Sequence, residues 1–193
     1  MRKLFGTTLL IAGLLLVGVS AYDWASTKVN TDQALGAAVQ NLEKSKGQLD
    51  EELAVEFSPQ LGESVGVLRI PTLDVTLPIV EGTEEEMLAQ GVGHMTSTVW
   101  PGQGEQILLS GHRDTAFRNF GELQNGDEFI VELSYGTFQY EMVDHEIVDK
   151  DDTTVIRNMG EEVLVLSTCY PFQLLGAAPE RYVIYAKPVK EPN

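Results

Sequence analysis

Hydrophobic residues are distributed along this chain in three different ways, and each predicts a different kind of structure. Leu4 to Tyr22 reads LFGTTLLIAGLLLVGVSAY, an uncharged run close to the roughly 20 residues a helix needs to cross hydrocarbon. From Asp23 to about Phe57 the apolar residues are sparse (Val29, Leu35, Val39, Leu42, Leu49, Leu53) and mostly three, four or seven apart. That spacing predicts a helical stalk, although a segment this polar could also be a disordered tether. From Ser64 onward short β-branched runs alternate with turn signals, as expected of strands. The first two runs are Val65–Ile70 and Val75–Val80, separated by Pro71 and Asp74. Further runs cover Gln106–Ser110, Glu128–Leu133, Thr137–Val148, Glu162–Thr168 and Tyr182–Lys187, with turns at Pro101-Gly102, Asn125-Gly126, Tyr135-Gly136 and Asn158 to Gly160.

The period-two alternation of Phe129, Val131 and Leu133, answered by Phe138, Tyr140 and Met142, predicts a hairpin over 127–149. Thr83 with Glu86 three residues on reads as a capping box opening a short helix to Leu88. Many short strands and little helical periodicity make this region all-β, a barrel or a sandwich. The organisation is therefore an N-terminal anchor (1–22), a stalk or linker (23–60) and a β domain (61–193). There is no internal repeat.

Charge fixes a direction for the anchor. Arg2 and Lys3 precede the apolar run and Asp23 follows it, so the positive-inside tendency puts the N-terminus in the cytoplasm and the bulk of the chain outside. Val19-Ser20-Ala21 also resembles a signal-peptidase site, but the run is long for a signal peptide, and both readings export the domain. The net charge is −16, so the chain beyond Arg2 and Lys3 carries −16 − 2 = −18. Such a surface repels phosphate backbones, which excludes nucleic acid as a partner. With a single cysteine the exported domain cannot be held by internal disulfides and must rely on its core.

That cysteine draws attention, because a lone thiol in an oxidising compartment is exposed to oxidation. Cys169 follows the apolar run Val163–Leu166, His112 ends the run Ile107–Gly111, and Arg181 opens the last strand after Pro179-Glu180. A thiol nucleophile, a proton shuttle and a cationic hydrogen-bond donor are the parts acyl transfer requires. Three strand ends can bring them to one end of a barrel.

These segments carry a resemblance. Leu166-Ser167-Thr168-Cys169, Leu109 to Thr115 (LSGHRDT) and Glu180-Arg181-Tyr182-Val183, in that His–Cys–Arg order, resemble the signatures of the sortase family. Val165 stands where the family's TLxTC strand has Thr. GHRDTAF and LSTCYPF look most like the class D enzymes of spore-forming Gram-positive bacteria. The resemblance implies a closed eight-stranded β-barrel preceded by a single-pass membrane helix, with the catalytic domain outside the cell. It implies a cysteine transpeptidase that cleaves an LPxTG- or LPxTA-like C-terminal sorting motif after Thr through a thioester on Cys169. The secreted protein bearing that signal is then transferred to an amine of a peptidoglycan precursor. His112 would act as acid/base and Arg181 as oxyanion support. Thr168, Tyr170 and His94 are the expected substrate contacts, with a structural role as the default for His94.

Other features call for less. Asp149, Asp151 and Asp152 lack the ordered spacing of a calcium loop, so a solvated turn is the default even though some sortases bind calcium beside the groove. One cysteine and three scattered histidines give no zinc-ligand pair. No cofactor is expected. His145, between Asp144 and Glu146, reads as solvated, and Arg113 and Asp114 read as supports of the His112 loop. The rival readings are an L,D-transpeptidase, another cell-wall cysteine peptidase, or a non-catalytic surface β-domain. The L,D-transpeptidase places His just before its Cys and the endopeptidases place Cys before His; neither order occurs here.

Overall fold

The computed structural model describes residues 2–44, 51–173 and 176–189. The apolar run and most of the stalk form one continuous helix, α1 (Arg2–Lys44), followed by the short α2 (Glu51–Glu56). The stalk is thus helical through Lys44, while residues 45–50, which include Leu49, lie outside the described residues. Its buried stripe is narrow, made of Ala34 and Ala38, small residues that let the helix backbone come close to the barrel. Ser64 Oγ donates to Ala34 O (2.8 Å) and Asn41 Nδ2 donates to Ser64 O (3.0 Å), tying helix to barrel.

Eight strands close into a barrel: β1 (Ser64–Ile70), β2 (Val75–Glu81), β3 (Val92–His94), β4 (Gln106–Ser110), β5 (Glu128–Leu133), β6 (Gly136–Asp149), β7 (Val163–Tyr170) and β8 (Glu180–Pro188). Around the barrel the order is β1-β2-β3-β4-β7-β8-β6-β5, with β5 back on β1. Closure removes free strand edges and decides between barrel and sandwich. The predicted hairpin is β5–β6, in the register Glu128↔Glu141 to Leu133↔Gly136. β3 went unpredicted because Val92-Gly93-His94 is three residues long and glycine-bearing. Its pairing with β2 and β4 comes entirely from its neighbours. The short helix α3 spans Glu85–Leu88 with Glu84 as its N-cap and no side-chain cap. The Thr83 capping box therefore does not form: Gly82 N donates to His94 O, which keeps the chain extended past the end of β2.

Two layers of apolar packing matter for the site. The barrel interior holds Leu68, Ile79, Leu109, Phe129, Val131, Leu164, Leu166, Tyr182 and Ile184, among others. A second cluster lies on the outer face of β4, β7 and β8, where Leu108, Val163, Val165, Val183 and Tyr185 pack with Val155 of the β6–β7 connection. β4 and β7 are thus covered on both faces, which explains their unbroken apolar runs. Gln106 holds that cover down: its Nε2 donates to Val155 O (2.7 Å) and its Oε1 accepts from Arg157 N (3.1 Å).

Candidate active site

Strand order and register bring the three expected residues to one end of the barrel. In the antiparallel pair β7–β8, Cys169 is directly opposite Arg181. Directly opposed side chains share a face, with Cβ atoms about 5 Å apart. In the parallel pair β4–β7, Ser110 is opposite Ser167, and Gly111 N donates to Ser167 O. The face of Cys169 follows from the period of two: Leu164 and Leu166 point inward, while Val163 and Val165 belong to the outer cluster, so Cys169 points outward. By the same parity Arg181 lies with Val183 on the outer face. His112 follows two residues after Ser110, at the same end of the barrel as Cys169 and Arg181.

The segment after β4 is built to hold His112 there. Phe117 N donates to His112 O (2.9 Å), and Phe117 and Phe120, both buried, stack at 3.8 Å. Gly111 is required by this packing, because a Cβ at that position would come within 2.8 Å of the Phe117 ring. His112 Nε2 lies 3.4 Å from Glu85 Oε1, a carboxylate on α3 that is 84% exposed. Among the described residues no hydrogen bond joins the imidazole to the Cys169 thiol, and apo sites often tighten only around substrate. Arg181 Nη1 donates to Glu180 O (3.0 Å) and Ala178 O (3.5 Å). Its Nε and Nη2 donors have no protein partner among the described residues.

Thr168 and His94 are both buried and hydrogen-bonded within the protein. Thr168 is 2% exposed and faces inward, its hydroxyl donating to Gly111 O at 2.7 Å; it clamps the His112 strand to the Cys169 strand. His94 is 1% exposed and stacked on Trp100 at 3.9 Å. Its Nδ1 lies 2.7 Å from Glu81 Oε2 and its Nε2 faces Val99 O and Thr98 Oγ1. These contacts, with the Thr98 hydroxyl donating to Met95 O, make a buried structural network on the barrel wall. Tyr170, half-buried, faces inward and packs with Phe172 and Tyr182 at the barrel end. The Tyr182 hydroxyl is held above its ordinary pKa, first by burial and then by Tyr170.

One contact was not anticipated. Arg113, next to His112, reaches across to the β7–β8 loop, where its guanidinium donates to Pro171 O (3.2 Å) and Gly176 O (2.5 Å). Sequence assigned Arg113 to its own loop, and nothing local could have named acceptors some sixty residues away. The acidic turn has internal uses: Asp149 Oδ1 accepts from Asp151 N, Asp152 Oδ1 from Thr154 N, and Asp151 pairs with Lys150. Among the described residues no group of three or more His, Cys, Asp or Glu is arranged to hold a metal.

Comparison with known proteins agrees with this geometry. The Sortase domain family matches residues 68–189. Sortase D of Bacillus subtilis is 43% identical over 197 residues, covering 98% of this chain and all of that protein. A Clostridium perfringens Sortase D5 transpeptidase structure superposes with a TM-score of 0.66 at 26% identity, over 80% of this chain and 99% of that one. The SrtA sortase of Actinomyces oris gives a TM-score of 0.62 at 27% identity, over 69% and 83%.

Proposed function

This chain belongs to the sortase family of cysteine transpeptidases, on its class D side, and from that premise we propose that Cys169 is its nucleophile, His112 its proton shuttle and Arg181 its oxyanion donor. The single observation that carries the assignment is the direct pairing of Cys169 with Arg181 at the ends of β7 and β8, with His112 two residues past Ser110, the β4 partner of Ser167. The Cys169 thiolate attacks the carbonyl carbon of the motif threonine in an exported protein, forming a C–S bond while the carbonyl π electrons move to oxygen. The free Nε and Nη2 donors of Arg181 suit the oxyanion that develops. Collapse of the adduct breaks the C–N bond after threonine, and His112 donates the proton that the departing amine needs. A thioester on Cys169 remains.

In the second half an amine of a cell-wall precursor attacks the thioester. His112 takes the proton from that nitrogen, the C–S bond breaks, and Cys169 leaves as the thiolate. The expected donor is a secreted protein with an LPxTG- or LPxTA-like C-terminal signal. The arrangement fits a single-pass protein with its N-terminus in the cytoplasm, since α1 contains a stretch long and apolar enough to cross a membrane and Arg2 and Lys3 precede it. The inward orientation of Tyr170 and Thr168 leaves side-chain selection of the motif to the outer face and its two covering connections.

The test is mass spectrometry of the protein incubated with Leu-Pro-x-Thr-Gly and Leu-Pro-x-Thr-Ala peptides. The expected result is an adduct on Cys169 equal to the peptide through Thr, absent in Cys169→Ala and neither formed at the parent's rate nor passed to amine in His112→Ala. Turnover retained by Cys169→Ala would refute the assignment.

A further inference from the structure

Contacts at three successive levels of α1 fix how the barrel sits on its anchor. Farthest from the apolar run, Ala34, Ala38 and Asn41 hold the start of β1. Closer to it, Asn30 and Gln33 face Glu85 and Glu86 across a cavity of about 660 Å³, and Glu85 is the residue whose carboxylate lies beside His112. Closest to the run, Asp23, Trp24 and Lys28 share a second cavity, about 320 Å³, with Asp114, Thr115 and Arg118 of the loop after His112. At the other end of the barrel, Gln103 Nε2 donates to Ala54 O of α2, and Glu162 accepts from Gly102 N.

Helix rise converts these levels into heights. At 1.5 Å per residue, residues 23–28 lie about 2–9 Å beyond Tyr22, and residues 30–33 about 12–17 Å beyond it. The headgroup layer on each side of a bilayer is roughly 5–8 Å deep. Tilt of the helix only lowers the heights. Tyr22 and Trp24 are 74% and 69% exposed, at the place where aromatic residues anchor a span to its interface. The charges lining the nearer cavity cancel, Asp23 and Asp114 against Lys28 and Arg118, although the chain beyond Arg2 and Lys3 carries −16 − 2 = −18. The cavity nearest the span is therefore neutral in an otherwise acidic chain.

We propose that the His112 end of the barrel is a membrane-facing surface, holding the loop after His112 at headgroup depth and the reactive residues immediately above it. The partner of this surface is the lipid bilayer, and the reactive residues are at the height of substrates that are themselves tethered there. The proposal rests on Leu4–Tyr22 being a membrane span.

The test uses the full chain in lipid nanodiscs, with Cys169→Ala removing the native thiol and single nitroxide labels introduced through Thr115→Cys, Glu161→Cys or Val29→Cys. All three positions are exposed, and folding is checked by circular dichroism. The probe is a nickel-chelating headgroup lipid, read by relaxation of the label. The expected result is relaxation several-fold stronger at 115 than at 161, and as strong at 115 as at 29. Strong relaxation at 29 with equal or weaker relaxation at 115 than at 161 would overturn the orientation while leaving the span intact. No relaxation at 29 would overturn the proposal at its premise.

Discussion

The Thr168 hydroxyl is where barrel stability and the reactive residues meet most directly. It is buried, it donates to Gly111 O at 2.7 Å, and it is the last link between the β4 and β7 strands before the pair His112 and Cys169. Thr168→Val keeps the shape and deletes the donor. A net hydrogen bond is worth about 1 kcal/mol, and orphaning a buried acceptor costs about 1–3 kcal/mol, so a loss of about 1–3 kcal/mol is expected. Thr168→Ser keeps the donor and removes one methyl, at about 0.5–1.5 kcal/mol. For a chain beginning at Ser26, with an m-value of about 1–3 kcal/mol/M in urea, Thr168→Val should lower the urea midpoint by about 1 M at unchanged m. Because a misplacement of about 1 Å can cost about 100-fold in rate, thioester formation should fall about 10- to 100-fold in Thr168→Val and much less in Thr168→Ser. If Thr168→Val melts within about 0.5 kcal/mol of the parent and acylates at its rate, the clamp argument is wrong.

Two further outcomes follow from particular contacts. Arg113→Ala releases the β7–β8 loop from Pro171 O and Gly176 O. It should lower kcat/KM for the sorting peptide about tenfold, or about 1.4 kcal/mol, mainly through KM. Alkylation of Cys169 by iodoacetamide should be unchanged and Arg113→Lys should recover part of the loss; equal damage to both reactions would sink the idea. At alkaline pH, burial and the Glu146 carboxylate push the Tyr185 hydroxyl up to about 12, and burial with Glu162 pushes Tyr135 and Tyr140 higher still. The folded state thus keeps protons that the unfolded chain releases near pH 10, so this stabilisation is complete below pH 10 and lost as pH climbs toward 12 and beyond. The urea midpoint should fall across that window, less steeply in Tyr185→Phe, and a flat midpoint from pH 9 to 12 would contradict the burial of these hydroxyls.

Much of the molecule was written locally. The uncharged run ending at Tyr22, the period-two pattern of Phe129, Val131 and Leu133, and the apolar segments before His112 and Cys169 each carry their meaning within ten residues. For that reason the all-β domain and the long apolar helix could be read without coordinates, and three candidate reactive residues could be named. Tertiary structure decided the rest. A pattern of short strands fits a barrel or a sandwich equally, and only the return of β5 to β1 closes the sheet. β3 exists because β2 and β4 supply its hydrogen bonds. Thr168 and Cys169 are neighbours in sequence, but the pleat sends one inward, to the Gly111 carbonyl, and the other outward. His94 met Glu81 through a parallel register that no local signal encodes. Arg113 found its acceptors in the β7–β8 loop, and where α1 meets the barrel is likewise set by tertiary contacts. What a side chain is can be read from the chain; what it faces depends on strand register, which is fixed only when the whole sheet closes.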